Sequence, residues 1–225
     1  MDAQYLWNRA FSVLELTDGD ARQALIERGE IRRVDPNQTL ISQSEDDDQV
    51  YFLLEGRARV VLYSAKGQEV WIESLAAGAV IGEIAALTGH KRTTGIVAET
   101  LCVVASFSSE RFKALLCEFG AFGLALSTSM AKRVHATTRR MFELSAMSAK
   151  GRVYGELQRI AKPVEDDGVL IIEPLPNLAA LAKRVSTTRE TVSRAITELE
   201  EKNLLERADD GFVLIDPDQL DRLQR

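Results

Sequence analysis

Residues 188–196 read TRETVSRAI, and they follow an apolar, helix-like segment, LAALAKRV at 178–185, after a short break. In a helix, Arg189, Glu190 and Arg194 fall near one end and one face. Each arginine can donate two hydrogen bonds to a guanine edge, and the glutamate can accept a hydrogen bond from a cytosine amino group. The two segments therefore predict a helix-turn-helix whose second helix enters the major groove of double-stranded DNA. The alternative is an ordinary two-helix hairpin with a solvated, charged face.

The charge distribution supports DNA binding more than the total charge does. The formal net charge of −6 at pH 7 counts mildly against a nucleic-acid partner. Basic residues nevertheless concentrate on the predicted helix-turn-helix, as Lys183, Arg184, Arg189 and Arg194. An acidic protein with one basic face can bind DNA, with low non-specific affinity. The residues expected to face DNA are Thr188, Arg189, Glu190, Thr191, Ser193 and Arg194.

The sequence predicts neither a membrane span nor a metal site. No apolar stretch approaches the roughly 20 residues of a transmembrane helix. The first residues, MDAQ, lack the basic and apolar regions of a signal peptide, so a cytoplasmic protein is expected. Cys102 and Cys117 both lie in apolar segments, which predicts free, buried thiols. His90 and His135 are too far apart for a zinc spacing.

A β-rich domain is predicted between residues 31 and 107, after a segment of helical character at 16–30. Short apolar runs at 49–54, 58–63, 69–74, 95–98 and 101–107 are separated by turn signals, including one at 65–68. Many short strands at close, regular spacing indicate a jelly roll or barrel.

A long helix is predicted next, from a cap at Ser108 to about Ala149, because this stretch has no proline and little glycine. Apolar and small residues recur along it at alternating steps of four and three: Met130, Val134, Thr137, Met141 and Leu144. This spacing is typical of a coiled-coil seam, so the helix is expected to form a homodimer. The alternative is one long helix packed on its own barrel.

A smaller helical domain follows, and two apolar arms around Asp209-Asp210-Gly211 predict a hairpin, or wing, at 204–215. The expected fold class is α+β, with an N-terminal jelly roll or barrel at 1–108, a dimerisation helix at 109–149 and a winged helix-turn-helix at 150–225.

A ligand site is predicted within residues 82–94. A helical turn after Gly82 would present main-chain N–H groups to an anion. Arg92 and Thr93 add donors suited to a phosphate, and Glu83 can accept from a sugar hydroxyl. The alternative is a loop with an exposed arginine and a glutamate that caps a turn.

Together these motifs resemble the cyclic-AMP receptor (Crp/Fnr) family of bacterial transcription regulators, from about residue 30 to the C-terminus. The resemblance implies that Glu83 holds the ribose 2′-hydroxyl and that Arg92 and Thr93 hold the cyclic phosphate of cyclic AMP or cyclic GMP. It assigns Thr137 and Thr138 to the purine base. The expected ligand-binding set is Gly82, Glu83, Ile84, Arg92, Thr93, Thr137 and Thr138.

The resemblance also implies a function that involves no catalysis. The sequence has no nucleophile elbow, Walker loop or metal-ligand cluster, and the Fnr-type cysteine cluster is missing from the N-terminal region. We expect a cyclic-nucleotide-responsive homodimer that binds a palindromic, TGA-containing operator and contacts RNA polymerase. The sequence does not locate the polymerase contact surface, for which the acidic loop at 165–167 is one candidate. The alternative is a related regulator that is ligand-independent or responds to a redox or haem signal. Ser186 occupies the turn position where the family commonly has glycine, so a slightly altered turn is expected.

Overall fold

A computed structural model describes residues 3–64, 67, 69–164 and 169–223. Three stretches named above lie outside these residues, wholly or in part: the first two residues, the turn at 65–68 and the acidic loop at 165–167. The chain divides into two compact units, Met1–Val134 and His135–Arg225. The predicted fold class is confirmed, with a β-rich first unit, a long helix and a winged helix-turn-helix.

The first unit has helices at its beginning and end and two antiparallel sheets between them, with one short helix between two of the strands. Its elements are α1 (Ala3–Leu14), α2 (Gly19–Arg28), β1 (Glu30–Val34), β2 (Thr39–Ile41), β3 (Gln49–Glu55), β4 (Arg57–Tyr63), β5 (Glu69–Ala76), β6 (Val80–Ile81), α3 (Glu83–Thr88), β7 (Gly95–Ala98), β8 (Cys102–Ser108), α4 (Ser109–Glu118) and the start of α5 (Gly120–Ala146). The sheets have the strand orders β1-β8-β3-β6 and β2-β7-β4-β5. Each strand run predicted from the sequence coincides with a strand to within two residues at either end.

Strand β3 shows why the two sheets and the helices pack as layers. Its side chains alternate between two apolar clusters, because successive residues of a strand point to opposite faces. Val50, Phe52 and Leu54 join the cluster formed with the helices, whereas Tyr51 and Leu53 join the cluster between the sheets. The second cluster forms the floor of a pocket in this unit.

Helix α1 is missing from the elements predicted above, although its apolar residues follow a helical period. Leu6, Trp7, Ala10, Phe11 and Leu14 are all buried, at spacings that place them on one face. Trp7 stacks on Phe11 with ring centroids 5.2 Å apart. The helix therefore covers the outer face of the β1-β8-β3-β6 sheet.

The helical stretch after β8 begins as predicted but is interrupted. The Ser108 hydroxyl caps α4 by accepting a hydrogen bond from the main-chain N–H of Arg111. At Phe119 the chain turns by 111° before α5 begins. This turn brings Phe122 back against Phe112, whose ring it meets edge-on at 5.9 Å. The apolar contact explains the interruption, which the residue types alone do not reveal. The long helix is therefore α5.

Helix α5 changes character along its length. Near its start Phe122, Ala125 and Leu126 are buried. Farther on, Val134 and Met141 are each 65% exposed, and the neighbouring Phe142 and Leu144 are exposed as well. Val134, Met141 and Leu144 belong to the predicted seam, so this part of α5 presents apolar side chains to solvent in a single chain. Met130, at the start of the seam, is instead partly buried against the core of the first unit.

The second unit contains the predicted winged helix-turn-helix, preceded by the end of α5 and by one further helix. Its further elements are α6 (Ala149–Ile160), β9 (Lys162–Pro163), β10 (Leu170–Ile172), α7 (Leu178–Arg184), α8 (Arg189–Glu201), β11 (Leu205–Ala208), β12 (Gly211–Leu214) and α9 (Pro217–Leu223). The sheet order is β11-β12-β10-β9, and β11 and β12 form the expected hairpin. Among the described residues, no single helix is long and apolar enough to cross a membrane; α4 and α5 meet that test only as a bent pair.

An ion-pair cluster joins α6 to α8 in the second unit. The Glu198 carboxylate lies 2.5 Å from Lys150 Nζ and 2.7 Å from Lys202 Nζ. Hydrogen bonds from these two ammonium groups, first from Lys150, lower the pKa of Glu198 to about 2. A depressed carboxylate pKa stabilises the folded state above the unfolded-state value of about 4.3, and this contribution is lost as the pH falls toward 2.

We expect Glu198→Gln to flatten the loss of stability on acidification. The variant lacks the titrating carboxylate, so its unfolding free energy should fall less than that of the wild type between pH 5 and pH 3. Urea unfolding at a series of pH values measures the difference. Glu201→Gln, at an exposed position on the same helix, is the control and should follow the wild-type profile. If the unfolding free energies of the wild type and of Glu198→Gln fell in parallel with pH, the lowered pKa of Glu198 would be contradicted.

Candidate ligand pocket and DNA-recognition helix

The first unit contains a pocket of about 370 Å³, including space open to solvent, between α3 and the two sheets. Its lining residues are Ile41, Leu75, Ile81, Gly82, Glu83, Ile84, Ala85, Arg92, Thr93, Thr94, Ile96 and Arg133. The five predicted ligand residues of this unit are therefore brought together. Glu83 and Arg92 are buried, whereas Ile84 and Thr93 are exposed. The pocket combines an apolar floor with one buried carboxylate and one buried guanidinium.

Gly82 has a conformation and a position that exclude a side chain. Its φ angle is +88°, in the left-handed region that favours glycine. A Cβ atom at this position would lie 2.6 Å from Nη1 of Arg92 and 2.8 Å from the Gln49 carbonyl oxygen. The glycine thus allows the guanidinium to pack directly against the main chain that enters α3.

We expect Gly82→Ala to destabilise the first unit by about 1–3 kcal/mol and to weaken ligand binding, because both the strain and the clash displace Arg92. Gly89→Ala is a matched control: Gly89 also has a positive φ angle, +72°, but a Cβ atom there would meet no other atom within 4 Å. Chemical unfolding of the two variants measures the difference. Equal losses of stability would show that the contact with Arg92 contributes nothing.

The Arg92 side chain is held by three protein acceptors. Nη1 donates to the Gly82 carbonyl at 3.1 Å, and Nη2 donates to Asp47 Oδ2 at 3.1 Å and also to the Gln49 carbonyl. Within the described residues, Nε is buried and has no hydrogen-bond partner. Arg92 therefore cross-links the pocket wall, and its removal must affect folding. The alternative of an exposed loop arginine does not hold.

Glu83 is paired with an arginine that sequence reasoning missed. Arg133 of α5 donates through Nη1 to Glu83 Oε1 at 2.6 Å and lies 3.3 Å from Glu73 through Nε. Glu83 is only 3% exposed, and a buried carboxylate requires a compensating cation. That requirement predicts a basic partner from the sequence, but it does not identify which of the 28 Lys and Arg residues supplies it.

The two predicted base-contacting residues lie elsewhere in the chain. Thr137 and Thr138 are on α5 in the second unit, and both side chains are exposed. The pocket residues of the first unit do not include them.

The predicted DNA-contacting residues form two groups: four exposed side chains on one face of α8, and two threonines at its start. Val192, Ala195, Ile196 and Leu199 face the core of the second unit. On the opposite side, Arg189, Glu190, Ser193 and Arg194 are exposed. Thr188 is the N-cap: its hydroxyl accepts from the Thr191 N–H at 3.2 Å and lies 3.0 Å from the Thr191 hydroxyl. Four side chains are thus available to base edges, and the two threonines hold the first turn in place.

The turn before α8 keeps the geometry that glycine normally provides. Ser186 has a φ angle of +52°, so a serine adopts the left-handed conformation here. Its N–H donates to the Lys183 carbonyl at 3.3 Å, and the Thr187 N–H donates to the Ala182 carbonyl at 2.9 Å. This pair of bonds is the Schellman motif that ends many helices. The expected alteration of the turn is therefore small, and its cost is local backbone strain.

The cysteines differ from expectation in one case. Cys102 is buried as predicted, and burial raises the pKa of its thiol, so that little thiolate forms near neutral pH. Cys117 is exposed, because its position on α4 faces away from the buried Phe112 and Leu115. Among the described residues no group of three or more His, Cys, Asp or Glu side chains is placed to hold a metal ion.

A β-rich unit with a polar-lined pocket, followed by a winged helix-turn-helix, defines a two-domain DNA-binding transcription regulator. Residues 31–118 match the family described as "Cyclic nucleotide-binding domain", and residues 151–223 match the "Crp-like helix-turn-helix domain". Together the two matches cover well over half of the chain. The chain belongs to the Crp/Fnr family of transcription regulators, which are not enzymes.

Named relatives agree with this assignment. The "cAMP-activated global transcriptional regulator CRP" of Salmonella typhimurium is 28% identical over 180 residues, covering 78% of this chain and 84% of that protein. The "cAMP-activated global transcriptional regulator Vfr" of Pseudomonas aeruginosa is 25% identical over 182 residues, with 77% and 84% covered. The c-di-GMP-responsive regulator CLP of Xanthomonas campestris shares the fold, with a TM-score of 0.75 at 19% identity, over 88% of this chain and 100% of that chain.

Proposed function

We propose that the protein is a cyclic-nucleotide-responsive regulator that binds, as a homodimer, to a palindromic TGA-containing operator. The observation that carries the proposal is the convergence of buried Glu83, buried Arg92 and exposed Thr93 on one pocket. A carboxylate accepts hydrogen bonds from sugar hydroxyls, and a guanidinium pairs with phosphate. A cyclic nucleotide carries both groups side by side, so this ligand class fits the pocket chemistry.

In the proposed complex, Arg92 and Thr93 bind the cyclic phosphate and Glu83 binds the ribose 2′-hydroxyl, while the main chain at Gly82 and Ile84 closes the site. The terminal nitrogens of Arg92 already have acceptors, so the phosphate competes with Asp47 for one of them. The partnerless Nε–H of Arg92 is a further donor for the phosphate. Cyclic AMP is the preferred effector in this proposal, and cyclic GMP also binds because a hydroxyl can donate to or accept from either purine.

Homodimer formation is supported by the exposed apolar side chains of α5. Val134 and Met141 are each 65% exposed, and they belong to the spacing of four and three that is typical of a coiled-coil seam. Burial of such a stripe against a second copy removes apolar surface from water. We propose residues 109–149 as the dimerisation segment, between a ligand-binding domain at 1–108 and a DNA-binding domain at 150–225.

At the operator, Arg189 and Arg194 are the proposed guanine readers and Glu190 the proposed cytosine reader, with Ser193 beside them. Thr188 and Thr191 hold the helix start. The two recognition helices of a dimer must lie about 34 Å apart to enter successive major grooves. We also propose that the protein is cytoplasmic and that it contacts RNA polymerase.

Thr137 and Thr138 are assigned to the purine base by the family resemblance, and they lie on the proposed dimerisation segment. We expect Thr138→Ala to reduce ligand-stimulated DNA binding by about tenfold while changing ligand affinity by less, because it removes one hydroxyl from the base and leaves the phosphate and ribose contacts. Operator affinity and nucleotide affinity are measured on the same variant. Ser145→Ala, also exposed on α5, is the control. An equal loss in both quantities would contradict a role in signalling.

Calorimetric titration of the purified protein with cyclic AMP and with cyclic GMP tests the proposed function. We expect saturable binding of one nucleotide per chain. The absence of binding by both nucleotides would overturn the ligand proposal and favour the alternative, a regulator that is ligand-independent or responds to a redox or haem signal. Selection of DNA from a random library tests the operator separately, and it should yield an inverted repeat with a TGA core.

A further inference from the structure

The turn between α7 and α8 leaves three successive carbonyl groups outside its own hydrogen bonds. The Schellman bonds use the carbonyls of Ala182 and Lys183. The next carbonyls, those of Arg184, Val185 and Ser186, cannot continue the helix because Ser186 is in the left-handed conformation. Carbonyl groups without partners are costly where water is excluded, as around buried Val185, so a protein donor is most needed there. Ser186 is exposed, and its carbonyl can also accept from water.

Two arginines from other helices supply those donors. Arg152, in the first turn of α6, donates through Nε to the Val185 carbonyl at 2.9 Å and through Nη2 to the Ser186 carbonyl at 3.1 Å. Arg140 of α5 donates through Nη2 to the Arg184 carbonyl. Burial lowers the pKa of Arg140, as expected for a guanidinium enclosed in the second unit.

The third contact of Arg152 ties the turn to the junction between α5 and α6. Its Nη1 donates to the Met147 carbonyl at 3.1 Å, in the short connection after α5 ends. One planar guanidinium therefore fixes two carbonyls of the turn and one of the junction. Lysine cannot reproduce this arrangement, because its ammonium group is a single point of donation.

We propose that Arg152 is a positioning residue for DNA recognition: it clamps the strained turn and thereby fixes the start of α8. Thr188, the N-cap of α8, lies two residues after Ser186, so movement of the turn moves the base-reading face directly. The proposal rests on the proposed role of α8 in reading an operator. Base contacts require accurate placement of the helix, whereas the general electrostatic attraction to phosphates is independent of sequence.

The test compares Arg152→Met and Arg152→Lys, each with and without Ser186→Gly. Binding is measured, with cyclic AMP present, to a duplex that the wild-type protein selects from a random library and to a shuffled duplex of the same composition. Amide hydrogen exchange at Ser186 and Thr187 reports on the turn itself. Lys162→Met, which removes one positive charge from exposed β9, is the control for charge alone.

For Arg152→Met we expect about tenfold weaker binding to the selected duplex, or more, because charged hydrogen bonds are lost. Binding to the shuffled duplex should change only as much as in Lys162→Met. Exchange at Ser186 and Thr187 should accelerate. Arg152→Lys should restore affinity for the shuffled duplex but not for the selected one. Ser186→Gly should recover part of the loss in both backgrounds, since glycine holds the left-handed turn without strain.

An unchanged ratio of selected to shuffled affinity in Arg152→Met would overturn the proposal, and so would wild-type behaviour of Arg152→Lys. If the methionine variant does not fold, the lysine variant and its Ser186→Gly partner decide the question. Should the wild-type protein select no duplex, the proposed operator fails, while amide exchange still decides whether Arg152 clamps the turn.

Discussion

Arg92→Ala is expected to abolish most nucleotide binding and also to destabilise the first unit without ligand. The substitution removes the bonds to Gly82, Asp47 and Gln49, and a buried charged hydrogen bond contributes ~1.5–3 kcal/mol. Some of this loss is recovered because Asp47 is partly exposed and regains water. We therefore expect a net destabilisation of about 2–3 kcal/mol and a loss of ligand affinity of at least about tenfold.

Urea unfolding without ligand and calorimetric titration with cyclic AMP measure the two effects separately. Lys91→Ala is a matched control, because Lys91 precedes Arg92 and pairs with Asp46 in a largely exposed salt bridge. Such surface pairs contribute ~0–1 kcal/mol, so this variant should resemble the wild type in both assays. If Arg92→Ala bound the nucleotide with wild-type affinity, Arg92 would not be part of the ligand site. Unchanged stability would contradict its role as a cross-link.

Arg194→Ala is expected to remove operator discrimination while leaving folding unaffected. A bidentate contact to guanine contributes ~1–3 kcal/mol of specificity, which corresponds to a roughly fivefold to 150-fold loss per contact. The proposed homodimer would make the contact in both half-sites, so the loss for a palindrome is the product of two such factors. Arg194 is exposed on α8, opposite the buried face, and therefore contributes little to stability.

Binding to the selected duplex and to a variant with altered TGA cores measures this discrimination. Arg222→Ala, at an exposed position on α9, removes the same charge from the same unit and is the control. It should weaken binding to both duplexes by the same small factor. Retention of wild-type discrimination by Arg194→Ala would show that α8 does not read the operator through this side chain.

The features that can be predicted from sequence are those set by local periodicity. The alternation of β3 and the apolar face of α8 follow from strand and helix geometry, so the residue pattern alone locates the helix-turn-helix and five strands of the first unit. The short strands β1, β2 and β6 were not among the predicted runs. The Ser108 cap and the wing hairpin likewise depend on neighbouring residues. Helix α1 obeys the same rule, so its apolar spacing is sufficient to predict it as well.

The features that could not be predicted depend on contacts between distant residues. The interruption at Phe119 is explained by the packing of Phe122 on Phe112, and Cys117 is exposed because of the face that α4 buries. In the pocket, the residue types of Glu83 and Arg92 were predictable, but their partners were not. Arg133 lies 50 residues after Glu83, and Asp47 lies 45 residues before Arg92. These ion pairs arise only when the sheets and α5 have assembled.

The most direct test of a cyclic-nucleotide switch is the affinity of the wild-type protein for its selected duplex without nucleotide, with saturating cyclic AMP and with saturating cyclic GMP. A ligand shifts an equilibrium only through different affinities for two states, and coupling of ~1–3 kcal/mol is typical. We predict that cyclic AMP raises duplex affinity by about fivefold to 150-fold, and that cyclic GMP raises it less. Equal affinity under all three conditions would contradict the account, even if both nucleotides bind the pocket.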